Sequence, residues 1–122
     1  MLPLFSSSEK KLESISAELT LTANDLVATY TNDETKSNAL YAGKIIEVTG
    51  TIKEMTFLNN RTTIILYSTS ETFGVICDIN PNQKETIYQL KKHQKIKVKG
   101  ICKGFLKDVI LLNCSIDLPT NE

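Results

Sequence analysis

A small closed β barrel of five strands, with one helix inserted between the third and the fourth, is the fold this sequence predicts. Three observations carry the prediction. Lys44-Ile45-Ile46-Glu47-Val48-Thr49-Gly50-Thr51-Ile52 alternates, with Ile46, Val48 and Ile52 on one side and Glu47, Thr49 and Thr51 on the other. Successive strand residues face opposite ways, so this pattern reads as one buried and one wet face. Gly50 falls on the apolar side, where a glycine marks a bulge, a sharp bend or a close backbone approach. Lys95-Ile96-Lys97-Val98-Lys99-Gly100 repeats the design. Two bent strands of this kind point to a barrel.

The elements follow in order. Met1 to Leu21 reads as a flexible leader, with Ser6-Ser7-Ser8 and Glu9-Lys10-Lys11 solvated and Leu12, Ile15 and Leu19 at weak helical spacing. Thr22 is a good helix cap, and Asp25 three residues on resembles a capping box. Leu26, Val27 and Tyr30 supply one apolar helix face. Asn32-Asp33-Glu34 restarts a second helical stretch, which Gly43 ends. The first barrel strand runs from Lys44 to about Met55, and Gly50 is expected to relieve its bend. Asn59-Asn60 is the following turn, since asparagine tolerates positive φ. Arg61–Ser68 and Thr72–Ile79 are the second and third strands, with Phe73, Val75, Cys77 and Ile79 on one face. Asn80-Pro81 opens a short helix, proline suiting its first position. Ile87 and Leu90 are its apolar stripe, expected to plug one end of the barrel. Lys95–Lys103 and Val109–Leu118 are the last strands, joined by Gly104 to Asp108.

The order is helix, then β-β-β-α-β-β, which is that of an OB-fold, a five-stranded Greek-key barrel. A β sandwich usually needs about seven strands. The predicted organisation is a leader over 1–21, a single domain over 22–118 that includes the N-terminal helix, and a tail over 119–122. A chain of 122 residues is one domain's worth and buries roughly two-thirds of its unfolded surface.

Tyr41-x-Gly43-Lys44-x-Ile46-Glu47-Val48-Thr49-Gly50 resembles the signature of the tRNA-anti-like family. So do the Leu-Lys-Lys-x-Gln-Lys-x-x-Val-x-Gly run from Leu90 to Gly100, the Cys-x-Gly-Phe-Leu-x-Asp-Val run from Cys102 to Val109, and Leu112-x-Cys114. The likeness covers roughly Leu21 to Leu118. It implies an OB-fold likened to anticodon-binding domains, and nucleic-acid binding by fold likeness. Relatives often resemble bacterial envelope proteins or lipoproteins with an N-terminal anchor. This sequence departs from them in having no anchor, and in placing His93 where relatives tend to have glycine.

Charge is the most function-like bulk property. The net charge is zero. Met1 to Asn60 nevertheless carries 5 Lys against 8 acidic residues, a balance of −3, while Lys84 to Lys107 carries 8 Lys against one Glu, a balance of +7. Lys95, Lys97 and Lys99 fall on the outer face of the fourth strand, Lys91 and Lys92 precede them, and Lys103 and Lys107 continue toward the last hairpin. Such a row attracts phosphates. It also reads as an ordinary solvated face, and edge lysines discourage aggregation. Bases stack on aromatic side chains. Phe57, Tyr67, Phe73 and Phe105 are available, of which Phe73 reads as core and Phe57 and Phe105 as loop residues. Arg61 is a candidate phosphate contact or an exposed strand-start residue.

Catalysis finds little support. His93 is the only histidine. It reads as exposed on a lysine-rich turn, and nucleophile elbow, phosphate-cradling glycine loop and paired metal motif are all missing. No cofactor or metal is expected. Three cysteines, Cys77, Cys102 and Cys114, form no C-x-x-C pair. Alternation sets Cys102 with Ile96 and Val98, and Cys114 with Ile110, Leu112 and Ile116. They read as buried thiols, with a Cys102–Cys114 bridge or metal binding as alternatives. No apolar run approaches the ~20 residues of a membrane span. Met1 to Phe5 is too short for a signal-peptide core. An upstream export signal would put the protein in the envelope, and otherwise it is cytoplasmic. The expectation is a non-enzymatic OB-fold module for single-stranded nucleic acid or another polyanion. The alternative is a protein-interaction or structural module of the bacterial envelope.

Overall fold

The computed structural model describes residues 16–118. The expected leader up to residue 15 and the tail from residue 119 lie outside the described residues. Six strands and several short helices follow in the order β1 (Leu19–Thr22), α1 (Ala23–Asn32), α2 (Glu34–Tyr41), β2 (Ile45–Leu58), β3 (Arg61–Leu66), β4 (Val75–Ile79), a 3-10 turn (Pro81–Gln83), α3 (Lys84–Ile87), β5 (Lys95–Leu106) and β6 (Asp108–Asp117).

Strands β2 to β6 close into the expected five-stranded OB barrel. β2 pairs with β5 through Ile45–Thr51 and with β3 from Ile52 to Leu58. β3 pairs antiparallel with β4, β4 parallel with β6, and β6 antiparallel with β5. Ile46, Val48, Ile52, Ile64, Leu66, Val75, Cys77, Ile79, Ile96, Val98, Val109 and Leu111 fill the interior at 0–1% exposure. Each fully buried Ile, Leu or Val contributes about 1.5–3 kcal/mol relative to exposure.

The helices form where their caps dictate. Thr22 Oγ1 accepts from Asp25 N at 3.0 Å, and Asp33 Oδ1 accepts from Lys36 N at 3.0 Å. Leu26, Val27 and Tyr30 are buried against the barrel, whereas α2 buries only Ser37. Gly43 takes φ +82° to leave α2, and its N–H donates to Cys102 O at 2.7 Å. The Asn59-Asn60 turn has positive φ at both residues, as expected of asparagine. Asn80 caps the inserted helix by accepting from Asn82 N. That helix is shorter than its sequence stripe suggests, but Leu90 is buried and Ile87 packs on the core.

Several expectations are corrected. Leu19 to Leu21, placed in the leader by sequence, are strand residues of β1, which runs parallel to Ile46–Thr49 of β2. The irregularity in β2 is not at Gly50 but between Ile52 and Glu54, so Lys53 is the extra residue. Gly50 instead makes room, because a Cβ there would stand 3.1 Å from both Ala23 Cβ and Leu66 Cδ1. The third strand begins at Val75 rather than Thr72. Serine hydroxyls hold the segment before it: Ser68 Oγ donates to Phe73 O at 2.6 Å, and Ser70 Oγ accepts from Thr72 N and Phe73 N. These local bonds replace strand pairing.

Cys114 does not share a face with Ile110 and Leu112. Asn113 takes φ +55°, and the β5–β6 register shifts between Lys99 and Ile101. The extra residue reverses the alternation, so Cys114 joins Val109 and Leu111 inside. All three thiols are free and buried. Cys102 Sγ lies 3.7 Å from Tyr30 Oη, while Cys114 faces Cys77.

Candidate nucleic-acid interface

β5 carries Lys95, Lys97 and Lys99 on the outside because Ile96, Val98 and Gly100 are its buried positions. Across β2 these lysines stand opposite Thr51, Thr49 and Glu47. Across β6, Lys97 stands opposite Asp117 and Lys99 opposite Ser115. Carboxylates therefore flank the middle of the row, while Lys95, at its head, faces a neutral threonine. Opposite charges directly across a strand pair attract, so the middle of the row is partly compensated. Lys91 and Lys92 are exposed on the turn that leads into β5, and Lys91 N donates to Gln94 Oε1 at 2.9 Å. Lys103 is exposed farther along β5, and Lys107 forms the β5–β6 hairpin tip with φ +76°.

The aromatic candidates separate. Phe57 is 68% exposed on the β2–β3 hairpin. It borders a recess of about 210 Å³ with Asn60, Pro81, Lys84 and Ile87. Phe105 is half-buried: it stacks on Tyr30 with centroids 5.6 Å apart at 18°, and meets Phe73 edge-on at 5.4 Å. It is engaged in docking α1 on the barrel. Phe57 lies opposite Thr62, beside the end of β4, and Phe105 opposite Val109, beside its start. The two rings thus sit a strand's length apart. Arg61 is held in an ion pair with Asp78 on the neighbouring strand.

Tyr67 is brought to the lysines. Its N–H donates to Thr51 O at 2.9 Å as the chain leaves β3. The residue is 41% exposed, and its ring lies nearly parallel to that of His93, with centroids 6.0 Å apart at 15°. His93 N donates to Ile52 O at 2.7 Å, and Ile52 N to Gln94 O at 2.9 Å, which fixes the turn against the bend of β2. The bulge at Lys53 sends its ammonium to 5.9 Å from the Tyr67 centroid. Tyr67 and Lys95 share an open cleft of about 340 Å³ with Thr49, Thr51 and the start of α1. Lys53 and His93 are the residues that sequence reasoning left out. The structural mark of the second is its backbone: His93 has φ +71°, a region that glycine adopts most easily.

Burial pushes up the Tyr30 phenol and the Cys102 and Cys114 thiols, so these groups are neutral core members. Among the described residues no group of three His, Cys, Asp or Glu is placed to hold a metal, and no helix is long and apolar enough to cross a membrane.

The tRNA_anti-like family model matches residues 5–116. The chain belongs to that family. Its fold is similar to that of a Klebsiella pneumoniae lipoprotein proposed to bind nucleic acid, with a TM-score of 0.67 at 11% identity over 88% of this chain and 96% of that one. It is also similar to a chain of the S. pombe Stn1–Ten1 complex, with a TM-score of 0.52 at 12% identity over 63% of this chain and 59% of the other. Asparaginyl-tRNA synthetase from Pyrococcus horikoshii is similar over 65% of this chain and 20% of its own, with a TM-score of 0.53 at 12% identity. At these identities the likeness is one of fold. No curated protein matches the sequence.

Proposed function

We propose that this family member is a non-enzymatic binding module that takes single-stranded nucleic acid, or another extended polyanion, along the lysine side of its barrel. The observation that carries the reading is the gathering of Lys91, Lys92 and Lys95 at the head of the β5 row, where a neutral residue rather than a carboxylate lies opposite. A phosphate chain laid there releases counterions from each site it occupies, which favours binding at low salt. Family membership and the likeness to a lipoprotein proposed to bind nucleic acid support the same reading. Fluorescence anisotropy with labelled single-stranded DNA and RNA at ~50 mM salt tests it. A rise in anisotropy that fades with added salt is expected. No rise at high protein concentration overturns it.

The alternative, docking of another protein at the cell envelope, is favoured by one observation: Phe57 and Leu58 are 68% and 71% exposed at the tip of the β2–β3 hairpin. Large exposed apolar side chains at a loop tip suit a protein partner. Under this reading, Leu58→Asp abolishes capture of a partner from envelope extract and leaves oligonucleotide binding intact.

A further inference from the structure

We propose that Tyr67 and His93 form a nucleobase-stacking platform at the head of the lysine row, fed with phosphate contacts by Lys53, Lys91, Lys92 and Lys95. The proposal rests on the single-strand reading above and assigns its base-contacting site. It replaces Phe57 and Phe105, which the fold holds apart and of which Phe105 is engaged with Tyr30 and Phe73.

Three independent features of the chain converge on this place. The first is a left-handed backbone at a residue that carries a full side chain. His93 lies at φ +71°, a left-handed conformation that glycine adopts without the steric penalty a Cβ brings. The hydrogen bond that ties this turn to β2 comes from the His93 backbone N–H, which glycine would supply equally well. The imidazole is therefore dispensable for the turn. What it adds is a ring lying nearly parallel to Tyr67, 6.0 Å away, on an exposed residue. A side chain kept on a left-handed backbone and held against an exposed aromatic residue points to a surface role rather than to packing.

The second feature is the bulge in β2. It falls at Lys53 and directs that side chain over the Tyr67 ring, with Nζ 5.9 Å from the centroid. A cation there is attracted to the ring face. An incoming base takes that place, and the ammonium moves to the phosphate beside it. The third is the cleft of about 340 Å³ that Tyr67 shares with Lys95, walled by Thr49 and Thr51 on the outer face of β2. The cleft opens onto the same face that bears Lys97 and Lys99, so a strand with one base on Tyr67 has its backbone led onto β5. Aromatic faces accept any base, so the platform reads single-strandedness rather than sequence.

The test compares three probes by anisotropy: a single-stranded DNA of about 12 nucleotides, its RNA counterpart, and an abasic phosphodiester chain of equal length, within the site size of one OB fold. Tyr67→Leu is expected to weaken binding of both oligonucleotides about tenfold and to leave the abasic chain unaffected, the size expected for loss of one stacked base. Tyr67→Phe keeps the ring and is expected to bind as wild type. His93→Gly is expected to melt at the same temperature as wild type or higher, yet to bind oligonucleotides several-fold more weakly. That combination separates a recognition role from a structural one. A larger loss with RNA than with DNA, or the reverse, assigns the preferred sugar and supports the platform in either case. Unchanged oligonucleotide affinity in both Tyr67→Leu and His93→Gly overturns the platform while leaving the single-strand reading standing. Equal loss for the abasic chain also overturns it, since the contact is then to phosphate. A wild-type chain that binds none of the probes removes the single-strand reading itself, and the platform with it.

Discussion

Replacing Gly100 with alanine tests the packing of the barrel at one of its two tightest glycines. A Cβ built on Gly100 would stand 2.6 Å from Cys114 Sγ, 3.0 Å from Leu112 O and 3.3 Å from Leu111 Cβ. Leu112 O is backbone, and Cys114 is completely buried, so neither neighbour has free space to retreat into. Overpacking a close-packed interior in this way costs about 1–3 kcal/mol. The opposing term is the lower entropy of the unfolded chain when alanine replaces glycine, about 0.4–1 kcal/mol. The balance is a net loss of roughly 1–2 kcal/mol, or a Tm lowered by about 4–9 °C for a domain of this size. Urea unfolding should show a lower midpoint with an unchanged slope. The sharper form of the experiment is a double-mutant cycle with Cys114→Ala, which removes the nearest obstructing atom. The paired variant should be more stable than the sum of the single losses predicts, by about 1 kcal/mol. A Gly100→Ala protein as stable as wild type, or losses that simply add, would refute the claim that Gly100 leaves its space to Cys114.

Thr22→Ala removes the side chain that accepts from Asp25 N, and should destabilise the fold by about 1 kcal/mol in chemical unfolding, while the exposed Arg61–Asp78 pair should contribute less than about 1 kcal/mol in a double-mutant cycle. Stability should be level near neutrality and fall as pH rises past about 9: the unfolded chain there releases thiol protons (ordinary value 9.0), and then the Tyr30 proton (ordinary value 10.0), which the native state retains by burial. The slope approaches about 1.4 kcal/mol per pH unit for each such group, and Tyr30→Phe together with Cys102→Ala should make it shallower, leaving the share of Cys114.

Much of the barrel is legible in the sequence because burial on one face enforces alternation. Ile46, Val48 and Ile52, and later Ile96 and Val98, lie inside as their spacing requires. The cap at Thr22 and the Asn59-Asn60 turn are legible for a similar reason, since each depends on the chemistry of a few adjacent residues. What stays hidden is decided by register. The bulges at Lys53 and Asn113 consume one residue each without a compositional mark, and the second reverses the face on which Cys114 lies. β1 stays hidden because its four residues make sense only beside Ile46–Thr49. The lysine row was visible as alternation, but its partial compensation by Glu47 and Asp117 comes from neighbouring strands. The Tyr67–His93 contact joins two loops that meet only because both hydrogen-bond to the bend of β2. Phe57 and Phe105 read as loop residues in the sequence but lie at the ends of β2 and β5, and nothing in the sequence reveals that Phe105 is occupied by Tyr30.

The most direct test of the central claim is the salt dependence of single-strand binding. If Lys53, Lys91, Lys92 and Lys95 each meet a phosphate, a plot of log K against log salt should be linear with a slope of about −3, from roughly −0.7 per neutralised phosphate on a single strand. Lys95→Ala should make that slope shallower by about 0.7. A chain that binds single strands with a flat salt dependence, or does not bind them at all, would contradict the account.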